Sequence, residues 1–168
     1  MIRMLADFVK EWTIESRSTL NLINHLTDAS LGQRVDADGW TLGKIAWHLA
    51  TSPCDLMKLA GLPVADVNDD DPVPDNVAEI AATYERVAAA LLEQVQQHWT
   101  DAMLLDVLNI YGQSWTRGET LSVLFGHQTH HRGQMTVLMR QAGLRVPGVC
   151  GPSREEMAEI LKANAKSG

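Results

Sequence analysis

Apolar side chains recur three and four positions apart along most of this chain, the spacing of an α-helix rather than a strand. Between residues 3 and 27, Leu5, Phe8, Val9, Trp12, Leu20, Ile23 and Leu26 share one face and predict a long amphipathic helix. Asp28 to Asp38 is polar and reads as a connection. Thr41 is placed to cap a second helix, from Leu42 to about Ala60, because its hydroxyl can accept from an exposed helix N–H. Gly61, Pro63 and the run Asp69-Asp70-Asp71-Pro72 break the pattern. The acidic run reads as a solvated linker, since Pro72 and Pro74 stand where a metal loop would want further ligands.

Asp75 can cap a third helix, whose stripe includes Val77, Ile80, Tyr84, Val87, Leu91 and Val95 and runs to about Trp99. Residues 100–116 show no clear period and are expected to form an irregular crossover. Thr116 and Glu119 match a capping box, in which the two side chains satisfy two orphan N–H groups reciprocally. They open a fourth helix that reaches about Ala142, with Gly143 at the stop. A loop marked by Pro147 and Pro152 follows, then a second capping box, Ser153 to Glu156, opening a short terminal helix of about ten residues. The expected fold is all-α: a single domain over residues 1–168, built as a four-helix bundle with a short C-terminal helix. The third connection, longer than the few residues that join antiparallel neighbours, predicts a long crossover rather than a simple up-down-up-down chain.

Composition narrows the function. Of 168 residues, 21 are acidic and 14 basic, a net charge of −7. That balance argues against a nucleic-acid groove, which needs clustered cations to displace counterions. No apolar run approaches the ~20 residues that span a bilayer. The N-terminal residues place Asp7 where a signal peptide needs an unbroken apolar core, so the expected location is the cytoplasm. Cys54 and Cys150 are too few for a disulfide framework and lack a C-x-x-C context.

The six histidines carry more information. His127 and His131 lie four apart in the fourth helix, about 40° from each other on one face, so both imidazoles can reach one ion. Gln134 continues that stripe. His130 points about 60° to the other side of His127 and could at most approach the site. Leu124, Met135 and Leu138 share the face, which therefore looks into the core. Two imidazoles buried together need partners, and a cation is one. His48, beyond Ile45 on the second helix, could be a third ligand if helices two and four pack antiparallel. Alone, a histidine on an apolar face is ordinarily a hydrogen-bonded core residue; the pair and the single residue together make metal binding an even alternative. His25 and His98 sit near helix ends and read as solvated, Trp40 and Trp47 as packing anchors. Gln128 follows His127 where a metalloprotease H-E-x-x-H motif has its Glu base, and a neutral amide cannot take a proton from water, which argues against peptide hydrolysis by that route.

Two segments resemble the DinB family. Gly39-Trp40-Thr41-Leu42-Gly43-Lys44-Ile45-Ala46-Trp47-His48-Leu49 is similar to that family's tryptophan-to-histidine segment. His127 to Gln134, followed by Leu138 to Gly143, resembles its H-x-x-x-H-R-G-Q hallmark. The resemblance implies a DinB/YfiT-like four-helix bundle, often a homodimer, with a histidine triad holding a divalent metal. The triad falls on His48, His127 and His131. Zn and Ni are the first candidates, with Fe, Co and Mn also suited to imidazole ligands. Some members are thiol S-transferases or a maleylpyruvate isomerase, so the resemblance implies a small-molecule substrate and a low-molecular-weight thiol, or water, as nucleophile. No thiol-cofactor signature stands in this sequence, and no general base is evident beyond Asp55, Glu85 and His130 as candidates. The alternatives are a non-enzymatic stress-related protein whose metal is structural or sensed, and a helical dimerisation module with satisfied core histidines.

Overall fold

The computed structural model describes residues 1–166. Four long helices, α1 (Leu5–Ile23), α2 (Leu42–Leu59), α3 (Val77–His98) and α4 (Arg117–Gln141), form the bundle, and α5 (Arg154–Lys166) follows. α1 packs mainly against α3 and α4, and α2 against the same two helices. Helices α1 and α2 are therefore diagonal, as are α3 and α4. Two connections cross the bundle, the first as well as the expected third.

The core forms where the helical stripes meet. Phe8, Trp12, Leu22, Leu49, Met57, Ile80, Leu91, Leu124, Met135 and Leu138 are all buried. The caps follow the sequence closely. Thr41 Oγ1 accepts from Lys44 N at 3.0 Å, and the Thr116–Glu119 box is complete, with bonds of 3.1 and 2.7 Å. At α3 the cap is Asn76 rather than Asp75: its Oδ1 accepts from Glu79 N at 2.9 Å. Asp28, from the first connection, adds a second cap by accepting from Val77 N at 2.8 Å. The first helix stops at Ile23, short of residue 27, where a short 3₁₀ connection with its own Thr27–Ser30 box takes over.

The connection from α3 to α4 is more ordered than its sequence suggests. A 3₁₀ turn, Ala102–Leu105, leads into an antiparallel hairpin of β1 (Val107–Ile110) and β2 (Gln113–Thr116), in which Ile110 pairs with Gln113. Tyr111 and Gly112, the two turn residues, both have positive φ, 51° and 77°. That is the backbone of a two-residue hairpin turn whose twist matches its strands. A Tyr is an unusual occupant, so the turn carried no familiar dipeptide signal.

Helix α2 contains Pro53 in its interior. Proline has no N–H for the carbonyl four residues back, here that of Leu49. Gln128 of α4 supplies the missing donor: its Nε2 lies 3.1 Å from Leu49 O. The Gln128 oxygen in turn accepts from Thr19 of α1 at 3.1 Å and Tyr84 of α3 at 3.2 Å. One fully buried amide thus ties together all four helices of the bundle.

Candidate metal centre

Helices α2 and α4 run antiparallel, with Leu49 beside Gln128 and the start of α2 beside the end of α4. That packing places His48 against the pair one turn apart on α4. His48 Nε2 lies 3.1 Å from His127 Nε2, and His131 Nε2 lies 3.2 Å from the same atom. A ligand nitrogen from each of the three residues falls within 4.8 Å of the others. For ligands at ~2.0–2.1 Å from one ion, octahedral to tetrahedral angles put neighbouring nitrogens about 2.8–3.4 Å apart. The observed spacing fits.

The second nitrogens decide which protons are present. His131 Nδ1 lies 2.7 Å from Gln134 Oε1, which can only accept, so this nitrogen carries the proton. His48 Nδ1 lies 2.9 Å from Asp69 Oδ1, and although the N–H is not aligned for a linear bond, a bare lone pair there would be repelled by the carboxylate. With both Nδ1 atoms protonated, the Nε2 lone pairs of His48 and His131 are bare and both point at His127 Nε2. A single proton on His127 could satisfy only one of them. A cation satisfies all three, so the three residues could hold a divalent metal. Burial, then the neighbouring imidazoles His131, His48 and His130, lower the His127 pKa to about 4, which keeps the ring neutral and ready to donate a lone pair. Burial likewise moves His131 downward, against the pull of its Gln134 bond.

Asp69 is the residue that the sequence reading misplaced. It belongs to the acidic run read as a solvated linker, but its side chain turns inward. Besides His48, Oδ1 accepts from Thr51 Oγ1 at 3.1 Å, and Oδ2 pairs with Lys44 Nζ at 3.0 Å. Lys44 Nζ also donates to the Asp69 backbone carbonyl at 2.8 Å. Partial burial works against the charged form, yet the bonds from Lys44 and His48 hold the carboxyl below its ordinary range. A carboxylate behind a ligating imidazole fixes the ring and raises its basicity. The neighbours Asp70 and Asp71 remain in the turn, as the linker reading expects: Asn68 Oδ1 accepts from Asp70 N, and Asp71 accepts from Asn68 N.

Trp40 also departs from its expected role as a packing anchor. It is 47% exposed. Its indole lies nearly parallel to the His131 ring, with centroids 6.0 Å apart, and edge-on to His48 at 5.1 Å. Trp47 is buried, as anticipated. His130 meets the His131 ring edge to face, with centroids 4.9 Å apart, but is exposed and does not join the cluster. Of the other candidate bases, the Asp55 charge is felt at Cys54 and Tyr111, and Glu85 lines a separate recess beside Trp12 and Tyr84. His25, just past the end of α1, bonds back to Asn21 O at 2.8 Å. Both cysteines are free, Cys54 buried and Cys150 exposed. No described helix is long and apolar enough to cross a membrane.

The pattern of the DinB family matches residues 1–165, nearly the whole chain. The chain belongs to the DinB family. The Bacillus subtilis (strain 168) protein named Uncharacterized protein YrdA is 42% identical over 160 residues, covering 95% of this chain and 96% of that one. The crystal structure of a DinB-like protein from Bacillus cereus ATCC 10987 is similar with a TM-score of 0.85 and 42% identity, over 89% of this chain and 99% of that one. A second DinB-like structure, YjoA of Bacillus subtilis, shares the fold at a TM-score of 0.66 and 18% identity, over 85% and 97% of the two chains. DinB membership agrees with the helical bundle and with the two histidine-bearing segments on α2 and α4.

Proposed function

We propose that this DinB protein is a metal-dependent enzyme that activates a small nucleophile, a low-molecular-weight thiol or water, for transfer to a small-molecule substrate. His48, His127 and His131 hold the divalent ion; Zn or Ni is preferred, and Fe, Co and Mn also suit the ligand set. The observation that carries the reading is the convergence of three imidazole nitrogens beside an open cleft, of which His131 forms part of the wall. Three protein ligands leave coordination positions free, the arrangement of catalytic rather than structural sites. When bound, the ion supplies a positive charge that lowers the pKa of a thiol or water beside it.

The chain's own residues prepare that chemistry. Asp69 and Gln134 hold protons on the outer nitrogens of His48 and His131, so that the inner nitrogens face the centre. His127 stays neutral through burial and its neighbours. Gln128, next to His127 in sequence, is turned into the core and has no proton-accepting charge. With no carboxylate base at that position, a thiol is the better nucleophile, because at pKa ≈ 8.5 it gives up its proton far more readily than bulk water. The family resemblance favours thiol transfer in the same direction.

Elemental analysis of untagged protein tests the centre: about one transition-metal ion per chain is expected, and loss of it in His48→Ala. A screen of thiols with electrophiles then tests the reaction, with turnover expected to vanish on chelation and return on reloading. Unchanged metal content in His48→Ala would overturn the triad. A fully loaded protein with no thiol- or water-dependent turnover would leave the metal as a structural pin between α2 and α4.

A further inference from the structure

We propose that the cleft beside the three histidines seats an uncharged, flat, mainly apolar molecule that carries one carbonyl-type oxygen. This names a substrate class for the enzyme reading above and rests on it. The cleft has a volume of about 570 Å³ and lies between the loop before α2, the first turn of α2 and the last turns of α4. That size suits a small ligand.

Its apolar surface is the first observation. Ile45 and Leu138 form a buried floor. Val35, Trp40 and Val137 are 67%, 47% and 54% exposed, yet all three line this one opening. Large apolar groups scattered singly over a surface need no explanation, but three gathered around a recess mark a binding surface. The Trp40 plane lies within 14° of the His131 ring, so a flat molecule stacked on the indole is held parallel to a face of the triad.

The second observation is the short list of polar groups. Gln134 Oε1 is engaged by His131, which leaves the Nε2 of the same amide as a donor at the end of the cleft nearest the triad. A carbonyl oxygen can accept there. Asp36 stands at the rim, its carboxylate fixed by accepting from Asp38 N at 3.1 Å. Among the described residues no lysine or arginine lines the cleft, and Lys44, 5.6 Å from the Trp40 ring centre, is bound to Asp69. Apart from the ion that the triad would hold, an anionic substrate body would meet the fixed negative charge of Asp36 with no cationic side chain in the walls, which is why the comparison of neutral and anionic probes is made on chelated protein. A neutral body meets apolar surface and one donor.

Cinnamamide and cinnamate are matched probes: both flat, one neutral and one anionic at pH 7. Their binding to the full chain is followed by saturation-transfer NMR titration, on protein as purified and after chelation. In chelated protein, cinnamamide is expected to bind at least about tenfold more tightly than cinnamate, which corresponds to ~1.4 kcal/mol. Trp40→Ala and Val137→Asp should each weaken cinnamamide about fivefold or more, with helical circular dichroism unchanged, while Ile14→Ala on the exposed side of α1 should not. Equal binding of the two probes, or binding indifferent to both cleft variants, would overturn the proposal. Protein that binds cinnamamide but holds no metal would overturn the enzyme reading and leave the seat standing; metal-loaded, active protein that does not bind it would do the reverse.

Discussion

Asp69 lies in the connection between α2 and α3, yet its carboxylate meets His48, Thr51 and Lys44. If it aims and polarises His48, removing it should weaken metal binding without touching a ligand. Asp69→Ala is expected to lower metal affinity about 10- to 100-fold, measured by competition with a chelator. Protonation of the histidines gives a second prediction. His127 is held near pKa 4 in the fold, below the ordinary 6.5, by burial and then by its imidazole neighbours. Between those values the unfolded chain binds more protons than the native one, so stability rises with pH. In metal-stripped protein, the contribution is fully present above about pH 6.5 and is lost as pH falls toward 4. The melting temperature of that form should decline across this window, and less steeply in His127→Gln. At this scale the three histidines were legible because helical spacing and the DinB-like motifs both mark them. Asp69 was not: its partner His48 is twenty-one positions away, and nothing local separates it from Asp70 and Asp71. Trp40 was misjudged because a sequence shows that a side chain is apolar, not which side of it faces water.

Helix positions were the most readable elements, since caps and stops are local chemistry. Thr41, Thr116 and Glu119 do in the fold what their order suggests. The hairpin over 107–116 was not readable, because its turn rests on Tyr111 at positive φ and its strands are only four residues each. Helix α4 shows a different difficulty. Its buried face includes Gln128, His131 and Arg132, so apolar periodicity alone understates how deeply it is packed. The Arg132 guanidinium is matched inside the bundle by Glu15, with further bonds to the Glu15 carbonyl at 2.9 Å and Thr129 at 3.0 Å. The start of α4 is equally constrained. A side chain at Gly118 would collide with the carbonyl oxygen of Ile2, whose N–H donates to Gly118 O at 3.1 Å. Because the obstacle is backbone, Gly118→Ala should destabilise the protein by about 1–3 kcal/mol in denaturant unfolding, although alanine is the better helix former.

Across the molecule, the diagonal placement of α1 with α2, and of α3 with α4, lets α2 and α4 face each other along the bundle. That contact creates the histidine cluster, the cleft and the four-way hydrogen bonding of Gln128 together. The long third connection was foreseen from its length; the equally crossing first connection was not, because a loop's length does not report which neighbour it reaches. Removal of the Gln128 side chain should strand the Leu49 carbonyl and take an acceptor from the Tyr84 hydroxyl, whereas Thr19 keeps the Glu15 carbonyl at 3.2 Å. Gln128→Ala is expected to cost about 3 kcal/mol or more in equilibrium unfolding.

That amide has a history written into it by Pro53. The ring deprives Leu49 of its usual partner, and the glutamine on the opposite helix makes good the loss. The two positions should therefore be epistatic. With alanine at 53, the backbone recovers its own donor, and an apolar residue at 128 becomes easier to accept. A double-mutant cycle on Pro53→Ala and Gln128→Leu should show a coupling of roughly 0.5–3 kcal/mol. In lineages of this fold, imino acid and amide should be gained or shed as a pair, with the aim of His48, five residues before the ring, shifting whenever they change separately.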